Sequence, residues 1–197
     1  DNELIQLTWK AGTYLRADLD TLTETGRGDY EGEGWGICYD GTRLVMSNGS
    51  SELTFRDPET FAPIGTIDVT INGEPLANLN ELECVNGQVL ANVWLSDVIV
   101  AIDPATGSVV GTVDGGALRP DGLTAEDSSF ALNGIAHDPA TGNFYLTGST
   151  SSSGWPIHNA HQPSFAGGVG GFTGGNGSCA ESSVGGGAGI SGFIIGG

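Results

Sequence analysis

Residues 34–41 of this chain read Gly34-Trp35-Gly36-Ile37-Cys38-Tyr39-Asp40-Gly41, and the same pattern returns twice. The later copies are Leu79-Asn80-Glu81-Leu82-Glu83-Cys84-Val85-Asn86-Gly87 and Leu132-Asn133-Gly134-Ile135-Ala136-His137-Asp138-Pro139. Repetition at roughly 45 to 50 residues is typical of propellers and solenoids, in which each repeat is one supersecondary unit. These three stretches therefore decide the fold class.

Similar elements follow the copies. An apolar run such as Leu44-Val45-Met46 comes first. In the first two copies an alternating strand with an Asp-Pro turn follows, as in Ile99-Val100-Ala101-Ile102-Asp103-Pro104, and a fourth strand closes the unit. Four short strands with tight turns describe a propeller blade, so we predict an all-β propeller. The opening residues fit this template from its second strand onward, which predicts an incomplete first blade.

Large aromatic and amide side chains recur at equivalent positions of the repeats. Trp35, Asn80 and Asn133 share one position early on the innermost strand, while Trp9 and Trp94 share another at the end of the second strand. Inner-strand positions of successive blades surround one mouth of a central channel, where propellers commonly bind ligands. We therefore predict a binding pocket from these five residues. The alternative is that the tryptophans pack between blades, since large aromatics dominate cores.

The charge of the chain excludes several classes of partner. Its 197 residues include 24 acidic and 6 basic ones, which gives a formal net charge of -18. Nucleic acids and anionic membranes bind through Lys and Arg side chains that neutralise phosphates, so we expect neither as a partner. No run approaches the roughly 18 consecutive apolar residues of a membrane span, and none is predicted.

The three cysteines cannot all pair with one another. Cys38 and Cys84 occupy equivalent positions on successive inner strands. They form either a disulfide between blades, which requires Cα atoms within about 7 Å, or two buried thiols. Cys179 is left as a free thiol or as a link to a partner chain.

Metal-binding patterns are weak in this sequence. His158 and His161 are three residues apart with no cysteine or third histidine nearby, so we interpret them as ordinary loop histidines. The acidic residues form no Asp-x-Asp-x-Asp run of the kind that binds calcium. We expect no metal and no cofactor.

Six motifs fall in order along residues 3–148. They are Gln6-Leu7-Thr8-Trp9-Lys10, Gly34-Trp35-Gly36, Leu79-Asn80-Glu81-Leu82-Glu83, Ala91-Asn92-Val93-Trp94, Leu132-Asn133-Gly134-Ile135-Ala136 and Leu146-Thr147-Gly148. Together they resemble the glutamine cyclotransferases, the plant and bacterial type of glutaminyl cyclase.

The resemblance implies a secreted five-bladed propeller that converts the N-terminal glutamine of a peptide to pyroglutamate and releases ammonia, without a catalytic zinc. The substrate's α-amine attacks its own γ-carboxamide, so such an enzyme mainly folds the side chain back and protonates the leaving ammonia. By this resemblance Trp9, Trp35 and Trp94 wall the pocket and Asn80 holds the substrate by hydrogen bonds. Asn80 is equally an amide of the kind that satisfies the backbone of a turn or an inner strand.

Two positions depart from the family pattern, so whether this chain is an active enzyme stays open. The family's general acid is a glutamate in a Gly-Glu-Gly stretch upstream of the Gln-Leu-Thr-Trp motif, at a position that precedes Asp1. Glu33 looks similar, but it lies two residues before the equivalent inner-strand position, and we do not carry the role over to it. The family also has a lysine where this chain has Ser149. Loss of a positioned proton donor typically costs 10² to 10⁴ in rate, so we expect impaired catalysis.

The C-terminal part departs further, and we divide the chain into propeller blades over residues 1–165 and a Gly-rich tail over residues 166–197. From residue 143 to 163 the sequence resembles a different propeller repeat, found in bacterial and archaeal surface proteins. In the tail, Gly192-Phe193-Ile194-Ile195 fits an edge strand that adds to a blade of the same chain or to the incomplete blade of a neighbour. An open first blade and a spare strand suit assembly with copies of itself. The alternative to an enzyme is therefore a non-catalytic subunit of an extracellular filament or surface layer, and either function places the protein outside the cell or on its surface.

Overall fold

The structure is a computed structural model, and it describes residues 2–116, 130–150, 170–174 and 190–195. Every strand in these residues belongs to an antiparallel sheet, and the predicted all-β class is confirmed. In chain order the strands are β1 (Glu3–Thr8), β2 (Thr13–Asp18), β3 (Glu24–Asp29), β4 (Gly36–Tyr39), β5 (Leu44–Ser47), β6 (Glu52–Arg56), β7 (Pro63–Asp68), β8 (Thr70–Ile71), β9 (Glu74–Pro75), β10 (Leu79–Val85), β11 (Gln88–Val93), β12 (Val98–Ile102), β13 (Val109–Asp114), β14 (Phe130–Asp138), β15 (Asn143–Thr150), β16 (Gly170–Gly174) and β17 (Ile190–Ile195).

The described strands form four blade-like sheets and one small hairpin. The first blade has the order β17-β1-β2-β3, the second β4-β5-β6-β7, the third β10-β11-β12-β13 and the fourth β14-β15-β16, while β8 and β9 form the hairpin. The leading strands β17, β4, β10 and β14 contact one another in that order, and the last strands of the first three blades are largely exposed. This is how propeller blades are arranged, with inner strands at the axis and outer strands in solvent. The five blades implied by the resemblance stay a prediction.

The first blade takes its inner strand from the other end of the chain. β17 pairs antiparallel with β1, from Leu4 opposite Ile195 to Thr8 opposite Ile190. β1 is therefore the second strand of its sheet, as the repeat template predicts for the opening residues. In this single chain the C-terminal strand lies in a blade of its own chain, and pairing with the blade of a neighbour stays a prediction.

The second and third blades share the largest apolar core. Strand alternation buries one face of each sheet, and the two faces meet at fully buried side chains such as Val45, Leu53, Leu79 and Val100. A disulfide between Cys38 on β4 and Cys84 on β10 joins the two inner strands, with the Cα atoms 5.4 Å apart. The question that the sequence left open between a disulfide and two thiols is thus decided in favour of the disulfide.

The inner strands β10 and β14 carry matching bulges. In β10, Leu79 lies opposite Val93 and Leu82 opposite Ala91, so Asn80 and Glu81 bulge out of the ladder. In β14, Leu132 lies opposite Gly148 and Ile135 opposite Leu146, so Asn133 and Gly134 do the same. Bulges re-aim side chains and often occur next to functional sites. The two asparagines that the repeats align are therefore equivalent in the fold as well.

Some predicted features lie outside the described residues. They include Cys179, the histidines 158 and 161, most of the surface-protein-like stretch and most of the Gly-rich tail. Within the described residues, no helix has the length and apolarity needed to cross a membrane. The same residues contain no group of three or more His, Cys, Asp or Glu side chains placed to hold a metal ion.

Candidate functional site

Two tryptophans from different blades converge on one carboxylate. Trp9 follows β1 of the first blade and Trp35 precedes β4 of the second. Each donates its indole Nε1–H to Oε2 of Glu33, at 2.7 Å from Trp9 and 2.8 Å from Trp35. Because both donors are fixed on one oxygen atom, Glu33 sets the orientation of both rings. Its other oxygen, Oε1, accepts no hydrogen bond from the described residues.

The turn between β3 and β4 brings Glu33 to this position. Gly32 has φ +85°, a conformation that glycine adopts without strain, and the Gly34 N–H then donates to the Trp9 carbonyl at 3.0 Å. The Trp35 N–H donates to the Ser47 carbonyl at 3.0 Å. These backbone bonds anchor the turn to both blades, so the Glu33 side chain is held where the two blades meet.

A third indole extends the wall into the third blade. Trp94 packs edge-on against Trp35, with ring centroids 6.4 Å apart and planes at 80°. Gly49 also lies close to the Trp35 ring, where a Cβ atom would be 2.7 Å from the ring. Gly49 also has φ +85°, so both its backbone and its lack of a side chain support this contact. Trp9 is 39 % exposed, which leaves part of the wall open to solvent.

The Glu33 carboxylate is ionised at neutral pH. The hydrogen bonds from Trp35 and Trp9 stabilise the charged form and lower the pKa of Glu33, and the charge of Lys10 acts in the same direction. The Lys10 Nζ lies 4.2 Å from the Trp9 ring centroid, as a cation attracted to an indole face does. The site therefore combines a negative carboxylate with aromatic surfaces that attract cations.

Asn80 adjoins this wall through the backbone of the second blade. It is 7 % exposed, and its carbonyl accepts a hydrogen bond from Oγ of Ser47 at 2.5 Å. A Cβ atom on Gly36 would collide with the Asn80 carbonyl, so the residue after Trp35 must be glycine for the inner strands to come this close. Within the described residues, the Asn80 side-chain amide makes no hydrogen bond.

Asn133 lies in a second polar group, next to Asn92. Asn92 is 1 % exposed, and its Oδ1 accepts the N–H of Gly134 at 2.9 Å. Nδ2 of Asn92 and Oδ1 of Asn133 are buried without a partner among the described residues. A buried unpaired polar atom costs roughly 1–3 kcal/mol, so each of these two atoms would be stabilised by a polar group that bonds it.

The structure thus brings only part of the predicted pocket into direct contact. Trp9, Trp35 and Trp94 form one connected group, and Asn80 adjoins it. Asn133 instead contacts Thr147, whose Oγ1 donates to its carbonyl at 3.1 Å, and its neighbour Gly134 binds Asn92. The described contacts do not join Asn133 to the tryptophans.

Sequence reasoning did not select Glu33 or Asn92 as site residues. In the sequence Glu33 resembles the family's general acid, but it lies two residues before the equivalent inner-strand position, which argues against that role. The usable signal was an acidic residue two positions before a repeated tryptophan. For Asn92 the signal was an amide inside the otherwise apolar strand β11. Ser149 lies in β15 opposite Ala131, and its side chain is outside the described part of the structure.

Comparison with known proteins identifies the family. The family model for glutamine cyclotransferase matches residues 1–157. The glutaminyl-peptide cyclotransferase of Arabidopsis thaliana is 35% identical over 155 residues, which are 78% of this chain and 47% of that protein. The crystal structure of Myxococcus xanthus glutaminyl cyclase superposes with a TM-score of 0.70 and 41% identity, over 75% of this chain and 64% of that one. The chain therefore spans about half the length of the curated relative, and the resemblance inferred from the six motifs is confirmed. This chain belongs to the glutamine cyclotransferase family.

Proposed function

We propose that this protein binds the N-terminal glutamine of a peptide at the tryptophan wall and converts it to pyroglutamate with release of ammonia. The observation that carries the proposal is the ionised Glu33 carboxylate, held between two indoles, whose second oxygen atom accepts no hydrogen bond from the described residues. Family membership supports the reaction class. As part of the same proposal, the protein acts outside the cell or at its surface and its native form is a five-bladed propeller.

The proposed roles follow from the chemistry of each group. In the reaction, the α-ammonium group first releases a proton to water. The α-amine nitrogen then bonds to the γ-carbonyl carbon and loses a second proton, the carbon–nitrogen bond of the carboxamide breaks, and the leaving nitrogen gains that proton and departs as ammonia. The indoles hold the glutamine side chain folded back, which supplies proximity. Glu33 attracts the α-ammonium group as its counter-ion and so places the α-nitrogen, while the Asn80 amide hydrogen-bonds the carboxamide.

We further propose that turnover is slow although binding is retained. The lowered pKa of Glu33 makes it a good counter-ion for an ammonium group and a poor proton donor to the leaving ammonia. Ser149 stands where the family has lysine, so a cation near the reacting carbonyl is replaced by a hydroxyl group. Loss of one such electrostatic group typically costs about 10² to 10³ in rate.

The test is the incubation of the protein with a short peptide that begins with glutamine. We expect binding, measured by calorimetry, and slow ammonia release, and we expect Trp94→Ala to reduce both. A peptide that begins with asparagine is the matched control, because its shorter side chain cannot close the same five-membered ring. Ammonia release no greater than that of Trp94→Ala, together with equal binding of both peptides, would sink the proposal.

A second candidate function is self-assembly into an extracellular filament or surface layer. The favouring observation is that the inner strand of the first blade, β17, comes from the distant end of the chain. A strand held by backbone pairing can equally pair with β1 of another copy, and a head-to-tail exchange whose rotation does not close into a ring builds an open filament. Sedimentation over a range of concentrations tests this: Ile194→Pro should reduce assembly by removing an N–H from β17, whereas Val184→Pro, outside β17, should not. A protein that is monomeric at every concentration contradicts the candidate.

A further inference from the structure

Three side chains of the third blade bind backbone N–H groups of β14. Asn92 Oδ1 accepts the N–H of Gly134 at 2.9 Å, and Glu81 Oε2 accepts that of Ile135 at 2.7 Å. Glu83 Oε1 accepts the N–H of His137 at 3.3 Å. β14 is the first strand of its sheet among the described strands, and none of these pairs with its inner edge to satisfy these groups. The side chains of the third blade take the place of that strand.

This junction differs from the one between the second and third blades. There, a disulfide and a large apolar core hold β4 and β10 together. Between the third and fourth blades, the buried apolar cluster among the described residues consists of Ile99, Leu132 and Ile135, with Leu90 and Leu146 packed against it. The polar bonds to β14 therefore carry a larger share of the attachment.

We propose that Glu81 is a positioning residue that, with Glu83 and Asn92, fastens β14 to the third blade and so sets the Asn133-Gly134 bulge beside the Asn80-Glu81 bulge. Glu81 directly follows Asn80 in the bulge of β10, and its carboxyl binds the residue just after the bulge of β14. One side chain thus fixes the relative position of the two asparagines. The effect on substrate rests on the proposed function, whereas the fastening itself does not.

The surroundings of Glu81 make this attachment depend on pH. Burial raises the pKa of Glu81 to about 8, and the charge of Glu83 raises it further. The hydrogen bonds from the N–H groups of Ile135 and Leu82 act in the opposite direction and lower it. Within the described part of β14 the titratable groups are His137, which interacts with Glu83, and Asp138, which interacts with His137. Strands β11 and β17 carry no titratable side chain, and on β4 Tyr39 is exposed. Glu81 is therefore mostly protonated at neutral pH.

The sign of the pH effect follows from linkage. When β14 opens, Glu81 meets water and its pKa returns towards 4.5, whereas the closed state keeps it near 8. Between these two pH values the closed state therefore binds more protons than the open state. The contribution of Glu81 to the stability of the closed state is full below pH 4.5, falls as the pH rises, and stays constant above 8. One titrating group increases the equilibrium constant for opening by at most about tenfold for each unit of pH.

Amide exchange measured by NMR tests the fastening without any substrate. We expect the protection factors of Ile135 and His137 to fall between pH 5 and pH 8 in the native protein and to stay flat in Glu81→Gln. The glutamine keeps an acceptor oxygen for Ile135 but does not titrate. Glu83→Gln, the same chemical change two residues along, should keep most of the slope. Equal slopes in the native protein and Glu81→Gln would overturn the proposal.

Peptide affinity at one fixed pH tests the positioning. We expect Glu81→Ala, which leaves the Ile135 N–H unpaired, to weaken binding of a glutamine-initiated peptide about tenfold, and Glu81→Gln to restore it. If neither variant changes affinity, Glu81 does not position the site. If the native protein binds no such peptide, the proposed function fails, while amide exchange still decides the fastening. If Glu81→Ala does not fold, the amide-exchange slopes of Glu81→Gln and Glu83→Gln decide whether Glu81 fastens β14.

Discussion

Glu33 is the residue on which the candidate site depends. It accepts two indole N–H groups on one oxygen, and those indoles come from two blades. The side chain thus has a structural part, which orients Trp9 and Trp35, and an electrostatic part, which is its negative charge. These two parts can be separated, because a glutamine at this position keeps an acceptor oxygen and loses the charge.

We predict that Glu33→Gln keeps the fold and weakens binding of a glutamine-initiated peptide about tenfold at pH 7, the order of magnitude of one hydrogen bond to a charged group. Because the pKa of Glu33 is lowered, native binding should persist as the pH falls to 4.5 and be lost only below it. Calorimetry over about pH 3 to 7 measures both effects. Glu31→Gln, an exposed carboxylate two residues earlier, is the control. Equal affinity of Glu33→Gln and the native protein would show that the charge does not bind substrate.

Residue by residue, the sequence was a better guide to the walls of the site than to its polar groups. The tryptophans were predicted because they recur at equivalent places in the repeats. Glu33 was not selected, because its distance along the chain from the inner strand says nothing about where a turn with Gly32 at positive φ directs a side chain. Asn92 was not predicted because its neighbours in β11 are mostly apolar. The hydrogen bond that its side chain accepts in the described structure comes from Gly134 in the fourth blade, which is distant in sequence.

At the scale of elements, the inner strands set the geometry of the site. The contacts that join β4 to β10 differ in kind from those that join β10 to β14. β4 and β10 approach closely at Gly36 and are joined by Cys38 and Cys84. β10 and β14 are joined by carboxylate and amide side chains. The covalent junction supports the tryptophan wall, because Trp35 precedes β4 and Trp94 follows β11 of the neighbouring blade.

We predict that replacing both Cys38 and Cys84 by serine lowers the thermal midpoint by about 10 °C. The disulfide spans 46 residues, and closing a loop of that length stabilises a fold by about 4 kcal/mol through the unfolded chain. For a chain of this size, 1 kcal/mol corresponds to about 2–4 °C. Differential scanning calorimetry with and without reductant measures the effect.

The control for this change is Cys179→Ser, which leaves the disulfide in place. We expect it to unfold at the native midpoint without reductant and at the midpoint of the double variant with reductant. The double variant itself should not respond to reductant. A double variant as stable as the native protein would contradict the prediction.

At the scale of the whole molecule, the first blade is built from both ends of the described chain. β17 supplies its inner strand and β1, β2 and β3 supply the rest. Pairing between residues far apart in sequence costs more loop-closure entropy than pairing between neighbouring strands. The first blade is consequently the one most suited to exchange its inner strand between copies, and this blade also carries Trp9 of the candidate site. Assembly and substrate binding would thus meet in the same part of the fold.

The sequence by itself determined the all-β class, the blade repeat, the equivalence of Asn80 with Asn133 and the family, because these follow from patterns that recur along the chain. Only the tertiary structure decided that Cys38 pairs with Cys84, that β17 completes the first blade, that Glu33 lies between two indoles and that Glu81 binds β14. Each of these depends on a distance between residues that are separate in sequence. A repeat shows which positions are equivalent, whereas contact also depends on how adjacent blades pack and where each turn directs its side chains.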